Sequence, residues 1–150
     1  MVRKPEVKRE KLTHTQVSPG SEIYMEGALI VGATVEDAKL EKLTLEECVV
    51  ENSSFTGTNI AESNIQDSIL EKCMFTGTSF YEAEFTRMLI KTTRLQGATL
   101  AESVLHDVHV VSSKLDGANF RFSKLTDVLF DKCEMVGCDF LGATLENVEF

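Results

Sequence analysis

The sequence predicts an all-β chain, a right-handed quadrilateral parallel β-helix of about six coils, each made of four five-residue units. Three observations predict it. First, every residue numbered a multiple of five, from Met25 to Phe150, is hydrophobic. A period of five belongs to neither a helix (3.6) nor a single strand (2.0). With 43% of the chain hydrophobic, chance gives such an unbroken run about once in 10⁹ trials. Second, the residue two before each of these positions is small almost throughout, from Ala28, Ala33 and Ala38 to Cys138 and Ala143. Only Leu43 and Met88 are bulky. Third, the chain aligns with itself every twenty residues, and glycine recurs at Gly57, Gly77, Gly97, Gly117 and Gly137.

Each observation fixes one part of the architecture. A large and a small residue, two apart, both point inward, and the other three residues of each unit point outward. The period of twenty makes four such units one turn. A glycine at one place on each turn suits a corner that needs permissive backbone angles. One coil cannot bury its own apolar side chains, but a stack of coils makes a continuous core. Coils paired as parallel strands about 4.8 Å apart give a rod about 29 Å long. Parallel crossovers are right-handed in nearly all cases, which sets the expected hand.

The units GANF, GCDFLGATL, QGATLAESVL and TGTSFYEAEF resemble the pentapeptide-repeat family, whose consensus is A(D/N)LXX. The resemblance covers residues 26–150 and implies the quadrilateral β-helix. The chain departs from the consensus in one respect. Asp or Asn before the central residue occurs only at Asn59, Asn64, Asn119 and Asp139. The expected organisation is a basic N-terminal tail or capping segment, residues 1–25, followed by the repeat body, residues 26–150. Leu12 to Val17 could run extended and cover the first coil, and Ser18, Pro19 and Gly20 supply turn chemistry.

Composition narrows the function. A length of 150 residues fits one domain. There is no secretory signal, no apolar stretch of eighteen residues and no lipidation signature, so a soluble cytoplasmic protein without a membrane partner is expected. The net charge of −9 divides unevenly: residues 1–25 carry +2 and residues 26–150 carry −11. An acidic body repels nucleic acid, and no direct nucleic-acid binding is expected. The basic start lacks interleaved aromatics, so it reads as a solvated tail rather than a nucleic-acid arm.

Candidate chemistry is sparse. Cys48, Cys73, Cys133 and Cys138 all fall on the inward small position, where Cys acts as a compact hydrophobe. No C-x-x-C spacing suggests zinc, and Cys73 and Cys133 lie about 14 Å apart along the stack, too far to bridge. Free buried thiols fit a reducing compartment. In the stretch His106-Asp107-Val108-His109 the two histidines fall on opposite sides of a corner, so no metal site is expected. No phosphate-binding loop and no Ser/His/Asp arrangement is present. The reading is non-enzymatic, with no catalytic residue, metal or cofactor.

Two outward columns stand out. Leu29, Val49, Ile69, Leu89 and Leu129 form an apolar stripe on one side, interrupted by His109. Contiguous apolar patches mark interfaces, so this stripe is expected either to bind a protein partner or to lie beneath the N-terminal segment. The second column is acidic: Glu62, Glu82 and Glu102 at one corner, and Glu47, Asp67, Asp107 and Asp127 at the next, with Arg87 between them. The leading expectation is therefore a scaffold that binds a protein through a flat face. The alternative is implied by the resemblance, because some family members that confer quinolone resistance mimic DNA on DNA gyrase. No loop insertion interrupts the five-residue frame, and none of the residues up to Phe150 is expected to form their C-terminal dimerising helix. At the C-terminal end Phe130, Met135, Phe140, Leu145 and Phe150 are expected either to be covered by further chain or to stack a homodimer end to end, since open core residues at a β-helix end favour association.

Overall fold

The computed structural model describes residues 1–17, 22–40 and 42–150. Eleven strands form one parallel sheet. In chain order they are β1 (Thr13–His14), β2 (Ile23–Glu26), β3 (Ala28–Val31), β4 (Leu43–Glu46), β5 (Val49–Glu51) and β6 (Asn64–Gln66). Then follow β7 (Ile69–Glu71), β8 (Glu84–Lys91), β9 (Val104–Val111), β10 (Lys124–Asp131) and β11 (Thr144–Glu149). Ile65 pairs with Phe85, Phe85 with Leu105, and Leu105 with Leu125, so the register advances by one twenty-residue unit per coil. The fold is an all-β solenoid of about six turns.

Four sides make each turn. Side 1 is centred on Met25, Leu45, Ile65, Phe85, Leu105, Leu125 and Leu145. Side 2 is centred on Ile30, Val50, Leu70, Ile90, Val110, Phe130 and Phe150. These two sides hold the named strands; sides 3 and 4 pair through single bridges such as Ser54↔Met74 and Asn59↔Ser79. The corner between sides 3 and 4 carries the glycine column, with Gly97 at φ +64°. The other corners use the same left-handed angles mostly without glycine, including Glu62, Glu82 and Glu102 between sides 4 and 1 and Asp67, Arg87 and Asp107 between sides 1 and 2.

The central residues fill the interior. Ile60, Ile65, Leu70, Phe80, Phe85 and Phe120 are 0–2% exposed. Phe55 and Phe75 stack at 5.2 Å, and Phe80 meets Phe85 edge-on at 5.4 Å. Gaps along the axis are only about 10 Å³ each, about the size of one water. The small inward residues satisfy the backbone. Ser68 Oγ accepts from the Cys48 N–H at 3.0 Å and donates to the Gln66 carbonyl at 2.7 Å. Thr78 donates to the Phe55 carbonyl of the preceding coil at 2.7 Å. The four cysteines are free and take the same place: Cys73 Sγ lies 3.3 Å from the Val50 carbonyl and Cys138 Sγ 3.1 Å from that of Leu115. Burial pushes the Cys73 thiol up to about 11.

Two features differ from the sequence expectation, the start of the stack and the place of Phe130, while the chain before the stack covers the first coil as expected. The stack begins before residue 26, because β2 already pairs with β4 from Ile23↔Leu43 onward. The chain before it also joins the sheet, since Thr13 and His14 pair with Ala28 and Leu29, and Val17 packs on the core above the first coil. The turn expected at Ser18, Pro19 and Gly20 lies outside the described residues. At the other end Phe130 does not belong to an open face: Phe150 stacks on it at 5.4 Å and leaves it 2% exposed. Met135 and Phe140 are half-buried, and Leu145 and Phe150 are exposed.

Candidate protein-binding face

Side 2 carries the apolar stripe. The residue just before each centre projects outward there, and the parallel register stacks Leu29, Val49, Ile69, Leu89, His109 and Leu129 in one column. Outward aliphatic side chains on a flat sheet should be well exposed. Val49 is instead 0% exposed, and Leu29, Ile69, Leu89 and Leu129 are half-buried. What covers them is the N-terminal segment.

Residues 1–12 run from beside Leu129 at the lower coils to β1 at the top. Two arginines pin the segment. The Arg9 guanidinium bridges Glu51 and Glu71, both of which follow the central residue on side 2. Arg3 donates its backbone N–H to Asp107 Oδ1 at 3.1 Å and its Nε to Oδ2 at 2.8 Å. The two anchors sit at opposite edges of side 2, so the segment crosses the stripe diagonally. Two to three coil spacings combined with four strand residues give a diagonal of about 18 Å, close to the span of six extended residues, about 20 Å. The basic segment is therefore a docked strap rather than the solvated tail its composition suggested. Val2, Pro5, Val7 and Leu12 are half-buried in it, and Lys4, Lys8 and Lys11 are exposed.

Arg3 changes the meaning of the acidic column. Asp107 is 2% exposed. Burial alone would raise its carboxyl, but the Arg3 N–H and guanidinium, with His106 beside them, hold it below the usual carboxylate range. Asp67 is gripped by Arg87 Nε and Nη2, both at 2.6 Å, and Asp127 accepts from Asn147 at 3.1 Å. Of the carboxylates at this corner Glu47 alone is exposed. The other corner is open: Glu62, Glu82 and Glu102 are all exposed. Beside it the Tyr81 hydroxyl binds Glu102 and Glu82, which push it up to about 12. The two acidic corners expected to act as one face are thus unlike.

The histidines separate as well. His106 lies with Asp107 and Asp127, one ligand atom from each within 4.8 Å of the others, but Arg3 already occupies Asp107. His109 sits across the corner under the strap. Its Nε2 is buried with no hydrogen-bond partner among the described residues, and burial, then Lys4, push its pKa down against the pull of Asp131. Sequence reasoning missed Arg3, Arg9, Glu51 and Glu71. Their one signal was Glu51 and Glu71 at equivalent places two residues after Val49 and Ile69.

The pentapeptide-repeats family matches residues 53–87 and 113–150 in eight copies. The chain belongs to the pentapeptide-repeat family. Among solved structures, this pentapeptide-repeat protein is similar to HetL, a pentapeptide-repeat protein involved in heterocyst differentiation regulation from the cyanobacterium Nostoc sp. strain PCC 7120. The identity is 15%, with 86% of this chain and 87% of that one covered at a TM-score of 0.44. It is similar to a trypsin-treated form of QnrB1, a plasmid-mediated fluoroquinolone resistance protein: 18% identity, 87% and 74% covered, TM-score 0.41. It is also similar to Rfr23 from the cyanobacterium Cyanothece 51142: 18% identity, 83% and 89% covered, TM-score 0.38. No curated protein matches it in sequence.

Proposed function

We propose that this pentapeptide-repeat protein is a non-enzymatic scaffold that binds another protein through side 2. The observation behind this reading is the apolar column from Leu29 to Leu129, closed over so well by a chain segment that Val49 is fully buried. A sheet face that already holds an extended segment has the shape and chemistry for another. Among the described residues, Asp107, Glu51, Glu71 and Asp67 of this face are held in ion pairs with Arg3, Arg9 and Arg87 rather than left open for bond chemistry.

A second reading, an acidic DNA mimic acting on DNA gyrase, rests on the exposed column Glu62, Glu82 and Glu102. It draws on fewer carboxylates than the sequence promised, because Asp107 and Asp67 are ion-paired. One pair of variants separates the two readings in a capture experiment against partner protein and against gyrase. Under the scaffold reading, Ile69→Lys with Leu89→Lys abolishes capture and leaves the rod folded, while reversing all three glutamates changes nothing. Under the mimic reading the triple reversal abolishes binding to gyrase, and wild-type binding weakens steeply from low to physiological salt.

A further inference from the structure

We propose that the partner of side 2 is an extended segment of another protein in which two arginines, six residues apart, flank a stretch with apolar residues at alternate positions, and that the strap is a resident stand-in for it. This rests on reading side 2 as the binding face and names what it binds. The strap supplies the template. Arg9 takes Glu51 and Glu71, Arg3 takes the buried Asp107, and between them the half-buried Pro5 and Val7 alternate with Lys4, Glu6 and Lys8. The recognition chemistry belongs to side 2 rather than to the strap: two acidic sites at opposite edges with an aliphatic column between them. Any chain that places guanidinium groups at the same separation can make the same contacts.

The strap is also held in a way that permits exchange. It contributes no strand to side 2 below β1. An open cleft of about 1110 Å³ separates it from the corner between sides 1 and 2, lined by Lys4, Lys8, Lys11, Glu47, Asp67 and Arg87 among others. Apart from β1, the polar bonds between strap and rod among the described residues are those of Arg3 and Arg9. A competitor therefore displaces two anchors and an apolar contact, not a ladder of backbone bonds. Because the strap is tethered, it competes at an effective concentration on the order of millimolar. A free segment meets a face that is mostly occupied, and its apparent affinity is reduced by the occupied fraction.

The test uses the full chain and, as probe, a fluorescein-labelled peptide with the sequence of residues 1–12. Fluorescence anisotropy compares wild type with the double variant Arg3→Ala, Arg9→Ala, whose own strap has lost both anchors. The double variant should bind the peptide at least about tenfold more tightly than wild type. Adding Asp107→Asn to it should remove most of that gain. A peptide with both arginines replaced by glutamate should not bind. If the double variant binds the basic and the charge-reversed peptides equally, side 2 remains a binding face but the arginine-bearing partner is wrong. If wild type binds the basic peptide as tightly as the double variant does, the strap does not occupy the face, and this inference falls. If the double variant binds neither peptide, the inference and the scaffold reading fall together.

Discussion

The two acidic corners that border side 1 share one backbone and have different fates. Glu62, Glu82 and Glu102 take φ of +56 to +58°, and Asp67 and Asp107 take +47 and +56°. The sequence stacks carboxylates along both, with Arg87 interrupting the second. Yet the first corner faces solvent, while the second is closed by Arg87 from within the coil and by Arg3 from the strap. Residue type and register put a carboxylate at a place; what packs on it decides whether it is a free charge or one half of an ion pair. An exposed column of like charge costs little when screened by salt. A buried one persists only when paired and hydrogen-bonded, and Asp107 is both.

The comparison can be broken at its foundation. Both corners depend on the interior frame, and Phe80 is 1% exposed between coils. Phe80→Ala should cost about 3–5 kcal/mol in chemical denaturation, as buried Phe truncations do. The outward Thr99→Ala should stay within about 0.5 kcal/mol. Equal shifts of the two midpoints would mean that the five-residue frame is not what holds the corners.

The comparison is sharpened by matched neutralisations. Asp107→Asn strips the carboxylate from a buried site bonded to Arg3 and should cost about 1–3 kcal/mol. Glu102→Gln, on the open corner, should stay within about 0.5 kcal/mol. Similar costs would erase the distinction between the corners.

Acid supplies a smaller effect. His109 is held neutral by burial under the strap and by Lys4. Its folded pKa is depressed, so its contribution is complete above the unfolded value, about 6.5, and is lost as pH falls through the lower folded value. Asp107 is depressed in the same sense, so its contribution is lost only below the ordinary carboxylate range, about 3.9. The strap should therefore begin to loosen below about pH 6.5, before Asp107 titrates. His109→Leu should delay that loosening to the carboxylate range, as followed by tryptic cleavage after Arg3 and Arg9. Cleavage that does not change between pH 7 and 5 in wild type would contradict the role given to His109.

The fold was legible because its information is local and repeated. Each unit states its own inward pair, so Ile65, Leu70 and Phe85 could be placed without knowing any long-range contact. The stripe was legible for the same reason, since Val49 and Ile69 inherit their direction from the frame. The strap was not. Residues 1–17 carry no five-residue pattern, and the bond from Arg3 to Asp107 spans 104 positions. The charge imbalance between tail and body fitted a solvated tail, and nothing in it chose Asp107 over Glu102. That choice depends on which edge of side 2 the strap reaches after leaving β1, and that is a matter of path length rather than composition.

The account turns on whether residues 1–12 occupy side 2, and the amide of Arg3 reports it most directly. Its N–H is donated to Asp107 Oδ1 at 3.1 Å in a place where a solvated tail has no partner. Residue-resolved hydrogen exchange by NMR should show that amide protected in wild type and exchanging freely in Asp107→Asn, with the amides of β7 and β8 unchanged. An Arg3 amide that exchanges in wild type as fast as in the isolated peptide would show that the strap is not docked on this face.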